Sequence, residues 1–393
     1  MDLNKEGEKL RGEIRLFLDE HGQLAREKGI GGEEYAQQLY TKIGEKGWLG
    51  LGIPEKYGGA GGTFAEFTIL QDELLAAAPE PVSTAALLVG IVVPPILAHG
   101  GDEIKRRFLP AIAGGKVKVC LGCTEPEAGS DTSNVQTRAV LEGDKYIVNG
   151  TKLYNDAYGY DYMLTTVRTD VKAPKEDGIS MLLIDLKTPG IEIIPIWMFW
   201  TPNYRRNEVH FDDVEVPSAN LVGDENRGWH YLVTTLRDYE WVQSGNIAQL
   251  HIEENFQLLV DFVKKTKQDG RVLSEFPSIR HTLADLATDI EVAKLFYQYG
   301  VWLLSKGVSS GMAPAMAKLY TTGMAQRLYD AMINITGEYG QLERTPAAKK
   351  WIPMRGRAAV YYKFVSSWSI AGWSSEMQRD DIASRGLGLP SYL

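Results

Sequence analysis

The two cysteines of this 393-residue chain, Cys120 and Cys123, are spaced as a Cys-x-x-Cys pair. Such a pair serves elsewhere as a redox couple or as half of a metal site. Here both lie in the apolar run Val117 to Cys123, which reads as a β-strand. Positions three apart on a strand face opposite sides, so the two sulfurs are expected to diverge. No second Cys or His pair completes a metal tetrad, and two small buried hydrophobes with no metal site are the expectation. The six histidines, His21, His99, His210, His230, His251 and His281, show no metal-ligand spacing and read as structural or solvent-facing. Gly50, Gly52, Gly58 and Gly59 crowd together outside any strand–GxGxxG–helix unit. Walker A and HExxH patterns are missing from the sequence. No short generic motif announces a reaction.

The elements that must position any site fall into three zones. From Asp2 to about Gly115 the apolar spacing is helical, with Leu10, Ile14 and Leu18 four apart, then Phe67, Leu70 and Leu74, and then the run Ala85 to His99. Between about Val117 and Gly223, turn signals at Glu142-Gly-Asp144 and Pro189-Gly190 separate short β-branched or aromatic runs. Lys145 to Val148, Ile179 to Ile184 and Asn207 to Phe211 are examples, and the spacing suggests a sandwich or small barrel. Beyond about Trp229 the chain reads as helical almost to its end, with Leu283, Leu286, Ile290, Ala293 and Tyr297 forming one stripe, which argues a helix bundle.

Composition bounds the function. The chain carries 42 Lys plus Arg against 51 Asp plus Glu, a net charge of -9, which leaves no footprint for nucleic acid. Apolar runs such as Ala85 to Val93 are too short to span a bilayer, so no membrane insertion is expected. The stretch Met1 to Glu20 carries charges of both signs and no apolar signal core, and a cytoplasmic protein is the expectation.

A longer series of motifs changes the picture. Thr124-Glu-Pro-Glu-Ala-Gly-Ser-Asp131 resembles the TEPxAGSD segment of acyl-CoA dehydrogenases, and Phe211-Asp-Asp-Val-Glu-Val-Pro217 followed by Asn220-Leu-Val-Gly223 resembles a second. Gly47 to Gly59 is similar to the family's iPExyGG segment. Ser374-Ser-Glu-Met-Gln378 and Arg385-Gly-Leu-Gly-Leu-Pro390 are similar to its TSEIQ and RGLGLP ending. The series keeps the family's order across nearly the whole chain. The resemblance implies an α+β multidomain protein: an N-terminal all-α domain (1–116), a central β-barrel domain (117–226) and a C-terminal four-helix bundle (227–393). It also implies FAD as cofactor and α,β-dehydrogenation of an acyl-CoA thioester, since oxidation at an unactivated carbon lies beyond side-chain chemistry.

Roles carry over residue by residue as implications of that resemblance. Thr124 and the backbone near Cys123 would meet the flavin ring, and Ser130 the flavin pyrophosphate or the CoA. Lys152-Leu-Tyr-Asn-Asp-Ala157 resembles the family's K-x-W-I-T-N pattern one residue short. Tyr154 would take the aromatic place beside the flavin, and Asn155 or Asp156 the threonine's. Ser374 and Glu376 belong to the TSEIQ-like flavin segment. The family places its catalytic glutamate at one of two positions. One is Gly372 in this chain, which cannot accept a proton but whose backbone N–H would hold the thioester oxygen. The other, in an LDxER-like motif, falls in Arg237-Asp-Tyr-Glu-Trp241. Counting back from Leu283 places Glu240 there, whereas counting forward from Gly228 requires one inserted residue. Asp238 and Trp241 would contact the substrate.

Across a subunit boundary the match thins. The family's Arg-x-x-Phe-Gly stretch is Thr266-Lys-Gln-Asp-Gly270 here, without the aromatic, and its Q-x-x-G-G-x-G becomes Asn334 to Gly340, with Asn334 in the place of the glutamine and only Gly337 and Gly340 kept. Either FAD is held differently or a different subunit completes the site. A homo- or hetero-oligomer passing electrons to an electron-transfer flavoprotein is expected. Two alternatives stand beside it: a weakly catalytic or non-catalytic subunit of a hetero-oligomeric dehydrogenase, and a dehydrogenase-like lyase acting on a CoA ester without net oxidation. Trp197, Trp200, Trp241 and Trp373 fall near expected pocket positions, and Arg205 and Arg206 read as a solvated pair.

Overall fold

The computed structural model describes residues 5–28, 33–78, 80–200, 205–308, 312–343, 345 and 347–391. Five helices come first: α1 (Lys5–Lys28), α2 (Glu33–Glu45), α3 (Phe64–Ala77), α4 (Glu80–His99) and α5 (Asp102–Ala113). The periodic apolar residues explain their packing, since Ile14, Leu18, Phe67, Leu70 and Leu74 are all at most 2% exposed. Arg11 and Arg15 of α1 both donate to Glu73 of α3, at 2.7 and 2.8 Å. A capping box starts α3: the Thr63 hydroxyl accepts from the Glu66 N–H, and the Glu66 carboxylate accepts from the Thr63 N–H at 2.7 Å. The glycine-rich connection before it passes so close to Ile53 that a Cβ at Gly59 would lie 2.1 Å from the Ile53 carbonyl oxygen.

Helix α4 corrects the reading of its apolar run. It is 20 residues long and continues through Pro94 and Pro95. By length and composition it could cross a membrane, yet 72% of its apolar window is buried inside the protein, as in a core helix.

Seven strands follow: β1 (Val119–Gly122), β2 (Arg138–Glu142), β3 (Lys145–Asn155), β4 (Tyr162–Arg168), β5 (Ile179–Asp185), β6 (Ile191–Trp197) and β7 (Arg205–Pro217). They form one sheet in the order β1-β4-β2-β3-β7-β6, with β5 on β4. The Gly143-Asp144 signal makes the two-residue turn between β2 and β3, with Gly143 at φ 66°. Strand β4 pairs with β5 along its whole length, with β1 over Tyr162 to Thr165 and with β2 at Arg168. The sharing of β4 among three partners curls the sheet, in keeping with the barrel-type domain the resemblance implied.

The helical third contains α6 (Gly228–Tyr231), a π-helical turn at Leu232–Leu236, α7 (Arg237–Ser244), α8 (Ile252–Lys265), α9 (Pro277–Ser305), α10 (Met312–Thr336), α11 (Arg357–Trp368) and α12 (Ser375–Asp381). Helices α8 to α11 build one core, with Leu259 and Val263, Leu286 and Ile290, Met324 and Leu328, and Ala358 and Val365 facing one another. This zone is not helical throughout. A hairpin of β8 (Lys267–Gln268) and β9 (Arg271–Val272) interrupts it, closed by Asp269 and Gly270 at φ 51° and 81°. Two successive positive φ values are what an Asp-Gly hairpin turn needs.

The chain divides into two compact units. One is Met1–Met198 with Pro202–Glu240 and Leu304–Ser309; the other is Phe199–Thr201 with Trp241–Leu303 and Ser310–Leu393. The first unit holds the opening helices and the sheet, the second the bundle.

Candidate active site

Strand β1 stops at Gly122, so Cys123 lies just past the strand rather than on its far face. Cys120 is buried, Cys123 is half-buried, and both are free thiols. The chain then enters the Thr124 to Asp131 turn. The Leu153 N–H donates to the Thr124 carbonyl at 2.8 Å, which sets Thr124 next to the end of β3. Glu125 and Ala128 bridge each other, while Ser130 is exposed.

Glu125 is a residue that sequence reasoning passed over. It is 3% exposed and accepts the N–H groups of Gln136 at 2.6 Å and Thr137 at 3.1 Å, together with the Lys152 ammonium at 2.7 Å. Burial pushes its carboxyl up, but Lys152 and these hydrogen bonds outweigh burial and hold it below its usual range. The pair fastens two of the family-like motifs together. Each motif was visible alone, whereas nothing in either announced its partner.

Tyr154 has a left-handed backbone, φ 57°, and its ring is 55% exposed. A large aromatic at positive φ held out in solvent is an uncommon arrangement. Asn155 is buried and spent on its own turn, donating to the Lys152 carbonyl at 3.3 Å and accepting from the Ala157 N–H at 3.2 Å. Asp156 forms an ion pair with Arg206, which is therefore not part of a solvated pair. Arg205 carries no described side chain.

The helix bearing Asp238 and Glu240 is continuous from α6 through the π-turn into α7, with helical φ/ψ at both joins. A π-turn is one residue inserted into an α-helix. Such a turn can take up a single inserted residue of the kind the forward count from Gly228 requires. The Thr234 hydroxyl donates to the His230 carbonyl at 2.6 Å within this widened turn. Asp238 is 1% exposed and lies 3.9 Å from Arg237 Nε. Glu240 is half-buried, and its charge reaches the Cys123 thiol. Burial first, then the carboxylates of Glu240 and Glu125 against the opposing Lys152, push that thiol up to about 12.

One turn of this helix also walls a cleft of about 420 Å³ in the first unit. Thr235 and Tyr239 face Phe64, Phe67, Val89, Val93 and Leu97, and the backbones of Gly52, Gly62 and Gly90 make room. The volume falls within the range of small-molecule pockets. Tyr239 meets Phe64 edge-on at 4.7 Å, and the Thr235 hydroxyl lies 2.8 Å from His99 Nε2. None of the four tryptophans expected near the pocket lines this cleft.

In the second unit, Gly372 and Trp373 take left-handed conformations at φ 64° and 66°. The Trp241 indole N–H donates to the Gly372 carbonyl at 2.8 Å, and the two indoles meet edge-on. Ser374 precedes α12. Glu376, exposed in its first turn, has its carboxyl held down by its own backbone N–H and then by the Ser374 hydroxyl. Trp200 packs on Phe364, and Trp197 of the first unit is 60% exposed. Asn334 is exposed near the end of α10 and donates to Asp330 at 3.0 Å, and Gly337 follows the helix at φ 62°. Cys123, Thr124, Tyr154 and Glu240 thus belong to the first unit, and Trp241, Gly372, Ser374 and Glu376 to the second.

A helical domain, a curled sheet and a helix bundle follow one another in this order, and a cleft is walled in part by the helix that carries Glu240. Models of the N-terminal, middle and C-terminal domains of acyl-CoA dehydrogenases match residues 4–116, 120–214 and 226–387. Acyl-CoA dehydrogenase FadE26 of Mycobacterium tuberculosis is 32% identical, over 98% of this chain and 97% of that protein. The ChsE4-ChsE5 complex of Mycobacterium tuberculosis contains a chain that superposes with a TM-score of 0.85 at 30% identity, covering 99% of each. Subunit CarC of the caffeyl-CoA reductase-Etf complex of Acetobacterium woodii is 29% identical, over 79% of this chain and 82% of its own length. The chain belongs to the acyl-CoA dehydrogenase family of flavoprotein oxidoreductases.

Proposed function

We propose that this chain converts an acyl-CoA thioester to the 2-enoyl-CoA, with Glu240 removing the α-proton. The observation that carries the reading is the place of Glu240. It follows the cleft-lining Tyr239 on α7, and its charge bears on Cys123, the neighbour of Thr124. Glu240 takes the proton as general base, and the Gly372 N–H donates to the thioester oxygen as negative charge builds there. Ser130, exposed, contacts the rest of the thioester, whereas Asp238 and Trp241, each 1% exposed, lie buried and back the helix and the Gly372 loop. The apolar cleft holds the acyl group and keeps water from the carbon being deprotonated.

The residues present fit FAD. The exposed Tyr154 ring on its left-handed backbone, next to Thr124, offers a planar group a stacking face. Cys123, Thr124, Ser130, Tyr154, Asn155, Ser374 and Glu376 would hold it, with Asn334 and Gly337 reaching the FAD of a neighbouring subunit. When bound, FAD supplies the acceptor for the hydrogen and electron pair that leave the β-carbon. The domain limits 1–116, 117–226 and 227–393 belong to this proposal, as does a cytoplasmic location. Purified protein is expected to show flavin absorption, and a panel of acyl-CoA thioesters with an artificial electron acceptor tests the activity. Flavin-loaded protein inert toward the whole panel would count against it.

Partners follow from the same reading. The Etf complex to which CarC belongs supports an electron-transfer flavoprotein as acceptor. The tight Asp269-Gly270 hairpin, standing where the family presents an aromatic to its neighbour's FAD, favours a hetero-oligomer as the second reading. On α9, Leu295, Tyr299 and Trp302 are 63%, 49% and 41% exposed at helical spacing, and the last two stack at 6.1 Å. An exposed aromatic stripe of this kind marks a subunit contact. Trp302→Glu is therefore expected to lower the assembly state by light scattering while flavin absorption per chain survives; an unchanged mass would place the contact elsewhere.

A further inference from the structure

Lys318 is a fully buried lysine on α10 that the reaction described above does not use. Its Nζ donates to three successive carbonyls: that of Ala371, that of Gly372 at 2.6 Å and that of Trp373 at 2.5 Å. Two further donors fix the same carbonyls: the Trp241 indole on Gly372 at 2.8 Å and Gln378 Nε2 on Trp373 at 2.8 Å. Taking an ammonium out of water is expensive, and surface lysines gain nothing comparable from a bundle core. Here that charge is concentrated on one tripeptide.

The geometry points to Lys318 as the positioning residue for the thioester contact at Gly372, an inference that rests on the function proposed above. In a trans peptide the C=O and N–H point in opposite directions. With the Ala371 carbonyl turned onto Nζ, the Gly372 N–H of that same peptide unit is turned away from the lysine, free to face a ligand. The cation acts electrically as well. A carbonyl bound to a cation polarises its peptide, and the N–H at the other end becomes a stronger donor. The left-handed backbone at Gly372 and Trp373 is costly for the tryptophan, and three charge-assisted bonds hold it in place. Lys318 thus touches neither substrate nor base; it orders the group that does.

The test separates proton removal from oxidation. 3-Thiaoctanoyl-CoA carries sulfur at the β-position and cannot be dehydrogenated, yet its α-protons exchange for deuterium wherever a base removes them and the thioester oxygen is stabilised. Exchange in D2O is followed by proton NMR with holoenzyme. Lys318→Met is expected to slow exchange about 10–10²-fold, somewhat less than loss of a whole oxyanion donor, while flavin content and the Kd for the probe change little. Lys318→Arg, which keeps the charge, is expected to recover part of the rate. Should Lys318→Met fail to fold, Lys318→Gln, which keeps a neutral donor and loses the charge, is expected to slow exchange about 3–10-fold. Exchange within twofold of wild type in the folded Lys318→Met protein, or in Lys318→Gln where Lys318→Met does not fold, overturns the assignment. Wild-type holoenzyme that does not exchange the probe at all overturns the Glu240 reading, and this inference with it.

Discussion

Replacing Glu240 by glutamine is expected to abolish turnover while the protein keeps its flavin. No other carboxylate stands at either of the two positions from which the family draws its base, because the second is Gly372. The amide keeps the volume of the acid, so α7 and the neighbouring cleft retain their packing. What it loses is the capacity to accept a proton, and loss of a positioned base costs about 10²–10⁴-fold. Anaerobic mixing with the best thioester of the panel reads the effect as the rate of flavin bleaching. Bleaching within a few-fold of wild type would reduce Glu240 to an ordinary helix carboxylate and move the base to a partner chain. A smaller effect should accompany the large one: with the Glu240 charge gone, the Cys123 thiol loses one of the influences raising it and should titrate at lower pH.

Lys152→Met is expected to destabilise the first unit by about 3–5 kcal/mol, the usual cost of leaving one member of a buried ion pair alone. Both side chains are out of water, 0% and 2% exposed, and 2.7 Å apart. Glu125 keeps the N–H groups of Gln136 and Thr137 after the substitution, yet no cation remains to offset its buried charge. Denaturant unfolding measures the loss, and a change below about 1 kcal/mol, the range of exposed pairs, would contradict it. The same pair has a pH signature. The folded-state carboxyl of Glu125 lies below its unfolded value of about 4.3. Its contribution is therefore fully present above that unfolded value and is lost as the pH falls through the folded one. Wild type should lose this increment in acid, and Lys152→Met should show a flatter dependence there.

Much of the architecture was legible because it rests on periodicity. Helical spacing in α1 and α3, β-branched runs in β3, β5 and β7, and the α9 stripe are local signals that burial only completes. The sequence left the proposed base position open by one residue, and the π-turn at Leu232–Leu236 is a feature that can take up one residue without ending the helix. A π-turn has no strong sequence signature, so a count alone could not place it. The β8–β9 hairpin did carry a signal, Asp269-Gly270, but it lay among long helices and was read as part of them. The Glu125–Lys152 pair and the Lys318 clamp were not legible. Each joins residues 27 and 53 or more apart through burial, and burial of a charge is written in no local pattern.

On the proposed function, this chain takes two hydrogens from an acyl-CoA. Flavin-loaded protein, incubated without oxygen with saturated acyl-CoA thioesters of straight, branched and cyclic acyl groups, answers it in one measurement: the mass of each thioester after reaction, read beside the flavin spectrum. At least one thioester is expected to lose two hydrogens, in step with bleaching of an equivalent of bound flavin. Flavin-loaded protein that leaves every thioester at its starting mass, or alters one without bleaching, would contradict it.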